Sequence, residues 1–308
     1  MDIYLPIAEV SVSWPLLVLL GTAVGFVSGL FGIGGGFLMA PILIFLGIPP
    51  TVAVASQASH VVASSTSGVI RYSGQKAVDF RMGGVMAAGG AAGALAGVEV
   101  FRYLRLLGQA DLVVALSYLI FLGAIGLLML NESVNEIIRR RRGETAPHHD
   151  RRRPLFLYGL PFKMKFPRSG LVISVIPPLA LGVFAGVLSA IMGVGGGFIL
   201  VPAMLYVLRM RAGVVVGTSL FQIIITTAIT TILQAGRNQT VDIVLSMLLL
   251  IGGVVGAQLG ARVSGRFRAE ELRALLGLIV LGVGVYMGLE LFVRPHDIFL
   301  LAPGIADR

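Results

Sequence analysis

Two runs of three glycines, Gly34–Gly36 and Gly195–Gly197, are the residues best placed to do chemistry without a charged side chain. Each lies between a long apolar segment and a short apolar piece ending at a proline, Pro41 or Pro202. Glycine inside a helix costs about 1 kcal/mol relative to alanine, so three in a row predict a break. A break at membrane depth is tolerated only against protein or a water-filled cavity. The helix that restarts after it presents first-turn N–H groups and the positive end of its dipole. That combination binds anions. The expected donors are Gly34, Gly35, Gly36 and Phe37 in one run and Gly195, Gly196, Gly197 and Phe198 in the other. A dinucleotide fingerprint around Gly32 and Gly34 is a poor alternative, because it needs a preceding strand and a soluble βαβ unit. The other glycine ladders, Gly89, Gly93 and Gly97 and Gly252, Gly256 and Gly260, read as helix-packing surfaces.

A second set of polar residues follows each run. Ala53–Gly68 corresponds to Val215–Thr230, pairing Ser56 with Thr218, Gln57 with Ser219, His60 with Gln222 and Ser64 with Thr226. Residues 56, 60 and 64 share one helical face, as do 219, 222, 226 and 230. Hydroxyls, amides and an imidazole can donate to an oxyanion without trapping it as a full charge would. Ser56, Gln57, His60, Thr218, Ser219 and Gln222 are therefore expected around the anion. Ser64–Ser67 and Thr226–Thr231 are read instead as satisfying their own helix carbonyls or joining helices. His60 is the one titratable side chain placed deep in an apolar segment, and could carry a proton or simply donate. Its mirror Gln222 cannot titrate, which argues against a symmetric proton relay.

No enzyme set is legible. Gly25–Gly29 is not a nucleophile elbow, and Ser28 recurs as Ser189. His148 and His149 lie in a basic stretch and read as solvated. No catalytic residue, metal site or cofactor is expected, and the absence of cysteine excludes thiol chemistry.

The elements that must position these residues follow from composition. The chain of 308 residues is 56% hydrophobic and 13% charged, with mean hydropathy +0.92. A soluble protein averages about 25% charged residues, so an integral membrane protein is expected. The net charge of +9 could suggest nucleic-acid binding, but ten of the 24 Lys and Arg fall between Arg139 and Arg168 and no aromatics interleave with them. That clustering fits cytoplasmic loops of a membrane protein. The first ten residues hold no Lys or Arg, so no cleavable leader is expected.

Apolar segments run over about 14–31, 37–48, 52–71, 82–101 and 111–130, then 171–192, 198–208, 213–235, 241–262 and 274–293. Segments 37–48 and 198–208 are too short to cross comfortably and read as half-helices or re-entrant pieces. The two sets are repeats. Gly25–Pro41 and Gly186–Pro202 share eight of 17 positions, and Val78–Gly97 and Val241–Gly260 share seven of 20. The expected organisation is a repeat over 1–130, a basic cytoplasmic linker over 131–169 and a second repeat over 170–308. With the linker inside and an odd crossing count per half, 19 of the 24 Lys and Arg are cytoplasmic and both termini are outside. Odd halves have opposite orientations. The expected fold is thus an all-α membrane protein of two inverted repeats, with about five hydrophobic segments each and half-helices at the triple glycines.

The twin GxGGGF blocks, Val214–Ile223 and Asn238–Ile243 resemble the sulfite exporter TauE/SafE family, also called the toluenesulfonate uptake permeases. The resemblance spans about residues 14–293. It implies a bacterial inner-membrane transporter of small sulfur-containing anions: sulfite, thiosulfate, or organosulfonates such as taurine and sulfoacetate. The first half departs from the second at Ala55, Ser56 and Gln57, against Gly217, Thr218 and Ser219. Unequal half-sites would suit an asymmetric substrate. Expected partners are that anion and the lipid bilayer, with a homodimer through the glycine ladders and no nucleic acid. A passive anion channel with the same groups is the alternative.

Overall fold

The computed structural model describes residues 2–31, 34–141, 161–263 and 269–293. His148, His149 and residues 142–160 of the expected linker lie outside them. Ten α-helices and two short hairpins make up the described residues. The first half opens with the antiparallel pair β1 (Asp2–Leu5) and β2 (Val10–Ser13). It continues with α1 (Trp14–Phe31), α2 (Gly36–Phe45), α3 (Pro50–Gly74), α4 (Phe80–Leu106) and α5 (Ala110–Arg141). The second half repeats the plan with β3 (Lys163–Phe166) and β4 (Leu171–Ser174), then α6 (Ile176–Met192), α7 (Gly197–Tyr206), α8 (Ala212–Leu233), α9 (Ile243–Val263) and α10 (Ala269–Val293). A single π-helical turn, Gln234–Asn238, ends α8.

The helices follow local rules. Proline opens α3 and α6, where its missing N–H costs nothing. Asp79 caps α4 by accepting from the N–H groups of Arg81 and Met82. The hairpins have no counterpart in the sequence reading, which put an apolar segment over 171–192. There β4 precedes the helix, because a turn at 167–170 folds Leu171–Ser174 back on β3. The expected linker 131–169 is likewise divided, with α5 running to Arg141 and β3 starting at Lys163.

Helices pair across the halves. α1 packs on α9 and α4 on α6, while α3 packs on α8 and α5 on α10. Exchanging the repeats swaps the first two pairings and maps each of the last two onto itself, so the packing has an internal two-fold pattern. Glycines set the closeness. A Cβ at Gly25 would lie 2.5 Å from the Gly253 carbonyl oxygen, and contacts of Gly21 with Leu249 and Gly29 with Ala257 make α1 and α9 parallel. By contrast Gly126 meets Leu281, Gly277 meets Leu130 and Gly288 meets Leu119, so the equivalent helices α5 and α10 run antiparallel. The ladders Gly89/Gly93/Gly97 and Gly252/Gly256/Gly260 lie against α6 and α1 of the same chain. They are filled within one molecule by these two helices.

Large apolar side chains such as Leu19, Leu128, Ile232 and Leu278 point outward, as a lipid-facing belt requires. Among the described residues, five helices are long and apolar enough to cross a membrane: Trp14–Phe31, Phe80–Leu106, Ala110–Asn131, Gly213–Asn238 and Ile243–Val263. Despite its 25 residues, α3 falls outside this set, because Ser56, Gln57, His60, Ser64 and Ser65 all lie along it, buried against other helices. Polar groups gather at the two ends of the bundle. At one, Arg237 bridges to Glu99 and Arg105 donates to the Asn238 carbonyl. At the other, Arg168 donates to the Val78 carbonyl and lies over the Phe80 ring.

Candidate anion site at the helix breaks

Both triple glycines break the chain where the sequence predicts. Gly34 and Gly35 have φ of 88° and 68°, and Gly195 and Gly196 have 72° and 74°. These left-handed values strain any residue with a Cβ, which explains glycine at all four positions. Helices α2 and α7 restart at Gly36 and Gly197, ten residues long each. Neither half-helix ends at its proline. Pro41 and Pro202 lie inside, and the helices continue to Phe45 and Tyr206. Each proline removes one internal hydrogen bond, but the turns on both sides hold, buried at Leu38, Met39 and Leu43 in α2 and at Leu200 and Met204 in α7.

The two breaks meet. A Cβ at Gly36 would lie 3.0 Å from the Cα of Val194 and 3.4 Å from the Gly193 carbonyl oxygen. The rings of Phe37 and Phe198, second residues of the half-helices, have centroids 6.3 Å apart. Val61 of α3 and Ile223 of α8 wall the meeting point, each approaching both Gly34 and Gly195. Part of the expected donor set is used locally. The Gly36 N–H donates to the Gly34 carbonyl at 2.9 Å. All eight residues of the two runs are buried, as are Ser56, Gln57, His60, Thr218, Ser219 and Gln222.

The six side chains are distributed over several places rather than one. Ser56 and Thr218 face the helix starts of the opposite half. Ser56 Oγ accepts from the Asp242 N–H, and Thr218 Oγ1 accepts from the Asp79 N–H, both at 2.9 Å. His60 and Gln222 occupy glycine notches. A Cβ at Gly253 would strike the His60 imidazole, and one at Gly90 would lie 2.8 Å from Gln222 Nε2. The Gly21 backbone approaches the imidazole, yet neither ring nitrogen makes a well-formed hydrogen bond. Gln222 Nε2 donates to Thr226 Oγ1 at 2.7 Å. Gln57 alone of the six touches a break directly: its Nε2 donates to the Met192 carbonyl at 2.8 Å and to the Tyr118 hydroxyl at 2.9 Å. Ser219 Oγ returns to the Val216 carbonyl.

Other polar residues escaped the sequence reading. Ser65 and Thr227, read there as satisfying their own helix carbonyls or joining helices, make no hydrogen bond and are fully buried. Ser65 lies at Gly34 and Thr227 at Gly195. Their common spacing of 162 residues is the same signal that paired Ser56 with Thr218. Tyr118 of α5 was hidden in an apolar segment, where nothing marks its hydroxyl as facing inward.

The fold is that of a multi-pass, all-α membrane protein with two broken helices meeting in its core. The chain belongs to the sulfite exporter TauE/SafE family, whose model matches residues 17–287. A probable membrane transporter protein of Xylella fastidiosa (strain 9a5c) is 30% identical over 278 residues, 88% of this chain and 94% of that one. The probable membrane transporter protein YjnA of Bacillus subtilis is 26% identical over 87% of this chain and 97% of its own length. Sulfite exporter TauE/SafE family protein 3 of Arabidopsis thaliana is 34% identical over 109 residues, 35% of this chain. No solved structure matches the chain.

Proposed function

We propose that this protein is a secondary transporter of small sulfur-containing anions, among them sulfite, thiosulfate and compact organosulfonates, in the bacterial inner membrane. The observation that carries the reading is the meeting of the two glycine breaks, Gly36 against Val194, with half-helix N-termini on both sides. The names of the relatives and the family point the same way. Helix N-termini favour anions, and a sulfur oxyanion spreads its charge over oxygens that accept several N–H and O–H bonds together. The halves are inverted repeats, a reading supported by the antiparallel run of α5 against α10. Rocking of one half on the other would expose the buried site to each side in turn. The basic linker is cytoplasmic, which also puts both termini in the periplasm. No chemical turnover is proposed, because the relatives are named as membrane transporters.

Reconstitution into proteoliposomes tests this. Uptake of radiolabelled sulfite or thiosulfate should saturate, and preloaded unlabelled anion should accelerate it by counterflow. Flux that rises linearly with concentration and shows no counterflow would establish the passive channel instead.

A further inference from the structure

We propose that the hydroxyls of Ser65 and Thr227 are the paired side-chain donors that hold a compact oxyanion between the two breaks. The proposal rests on the anion-transport reading above and names its ligand-facing side chains. It starts from an asymmetry among hydroxyls. In α3, Thr66 and Ser67 donate to the carbonyls four residues back, Val62 and Ala63. In α8, Thr230 and Thr231 do the same to Thr226 and Thr227. That is the ordinary fate of a hydroxyl in an apolar helix. Ser65 and Thr227 depart from it: both are 0% exposed and neither has a partner. A buried hydroxyl without a partner costs roughly 1–3 kcal/mol, so two at equivalent positions call for a reason.

Both point at the breaks. A Cβ at Gly34 would lie 3.2 Å from Ser65 Oγ, and a Cβ at Gly195 would lie 2.6 Å from Thr227 Oγ1. Each hydroxyl thus faces the left-handed glycine before a half-helix, where a side chain is excluded and an anion's oxygen is favoured by the dipole. Val61 and Ile223 each approach both Gly34 and Gly195 and bring no charge. An anion seated there receives a hydroxyl from each half. The carboxylates of Asp79 and Asp242 are already held at the starts of α4 and α9, so an ammonium group on the ligand would meet no free acid. Burying that charge unpaired is costly. The pair therefore selects a compact oxyanion over an aminosulfonate such as taurine.

The test is calorimetric titration of the purified full-length protein with sulfite, thiosulfate and taurine. Ser65→Ala, Thr227→Val and Thr227→Ser are compared with the controls Ser67→Ala and Thr231→Val, and each is checked for an unchanged gel-filtration profile and melting transition. Sulfite or thiosulfate should bind the parent protein more tightly than taurine. Ser65→Ala and Thr227→Val should each weaken that binding on the order of ten- to a hundred-fold, as expected for a hydrogen bond to a charged group. Thr227→Ser, which keeps the hydroxyl, should stay near the parent, as should both controls. Undiminished oxyanion affinity in folded Ser65→Ala and Thr227→Val overturns the donor pair and leaves the transport reading intact. Tighter binding of taurine overturns the stated selectivity. Failure of the folded parent to bind any of the three overturns the pair together with the reading beneath it.

Discussion

The backbone N–H of Asp242 donates to the hydroxyl of Ser56 at 2.9 Å, joining the start of α9 to α3 of the other half. Its counterpart is the Asp79 N–H on Thr218 Oγ1, also at 2.9 Å. Each aspartate also takes a hairpin tip. Asp242 Oδ2 accepts from the Ile7 N–H, and Asp79 Oδ2 accepts from the N–H and hydroxyl of Ser169. One residue type thus caps a helix, docks a hairpin and ties the two halves, once in each half.

Removing such a carboxylate strands several donors at once. Asp79→Ala should lower stability by about 2–4 kcal/mol, combining a lost cap with lost charge-assisted hydrogen bonds. Asp242→Ala should behave alike, and Asp2→Ala, at an exposed site in β1, should not. Thermal unfolding in detergent checks this, and equal melting of all three variants would refute the clamp.

The glycine contacts differ sharply in what they tolerate. Gly25→Ala places a methyl against the Gly253 backbone and should destabilise the α1–α9 pair by roughly 1–3 kcal/mol, as overpacking does. Gly84→Ala in α4 meets nothing within 4 Å and should be neutral or stabilising. Melting of the two variants side by side distinguishes a packing requirement from general glycine sensitivity.

Gln57, Tyr118 and the Met192 carbonyl form a triangle in which the amide and the phenol both donate to one acceptor. Gln57→Ala and Tyr118→Phe should therefore be non-additive. A double-mutant cycle should give a coupling of about 0.5–3 kcal/mol, and a coupling of zero would mean that the two groups hold Met192 independently.

Sidedness can be read with single cysteines, because the chain has none of its own. Leu107, exposed after α4, and Gln75, exposed after α3, lie in successive loops. A membrane-impermeant maleimide should label Leu107→Cys in intact spheroplasts, and Gln75→Cys only after permeabilisation. The reverse pattern would invert the proposed topology.

Much of this architecture was legible in the sequence for a physical reason. Apolar length and period mark helices, and α1 coincides with the segment 14–31. The breaks were legible because left-handed Gly34, Gly35, Gly195 and Gly196 have no substitute at low cost. The direction in which a polar side chain points was not. Ser56 and Ser65 are both small hydroxyls on α3, yet one meets Asp242 and the other a glycine break. Only the packing of neighbouring helices decides between such fates. The hairpins were missed because four-residue strands such as Asp2–Leu5 carry too little alternation to register.

The central claim is that the two breaks make one anion site. Calorimetric binding of sulfite and thiosulfate to the parent protein and to Gly35→Leu and Gly196→Leu tests it most directly. A leucine at either position meets both a left-handed backbone and a close neighbour, Ser28 or Ala185. The parent should bind at least one of the anions, and each folded, monodisperse variant should lose that binding although the substitutions lie in different halves. Retained affinity in either folded variant would contradict a shared site.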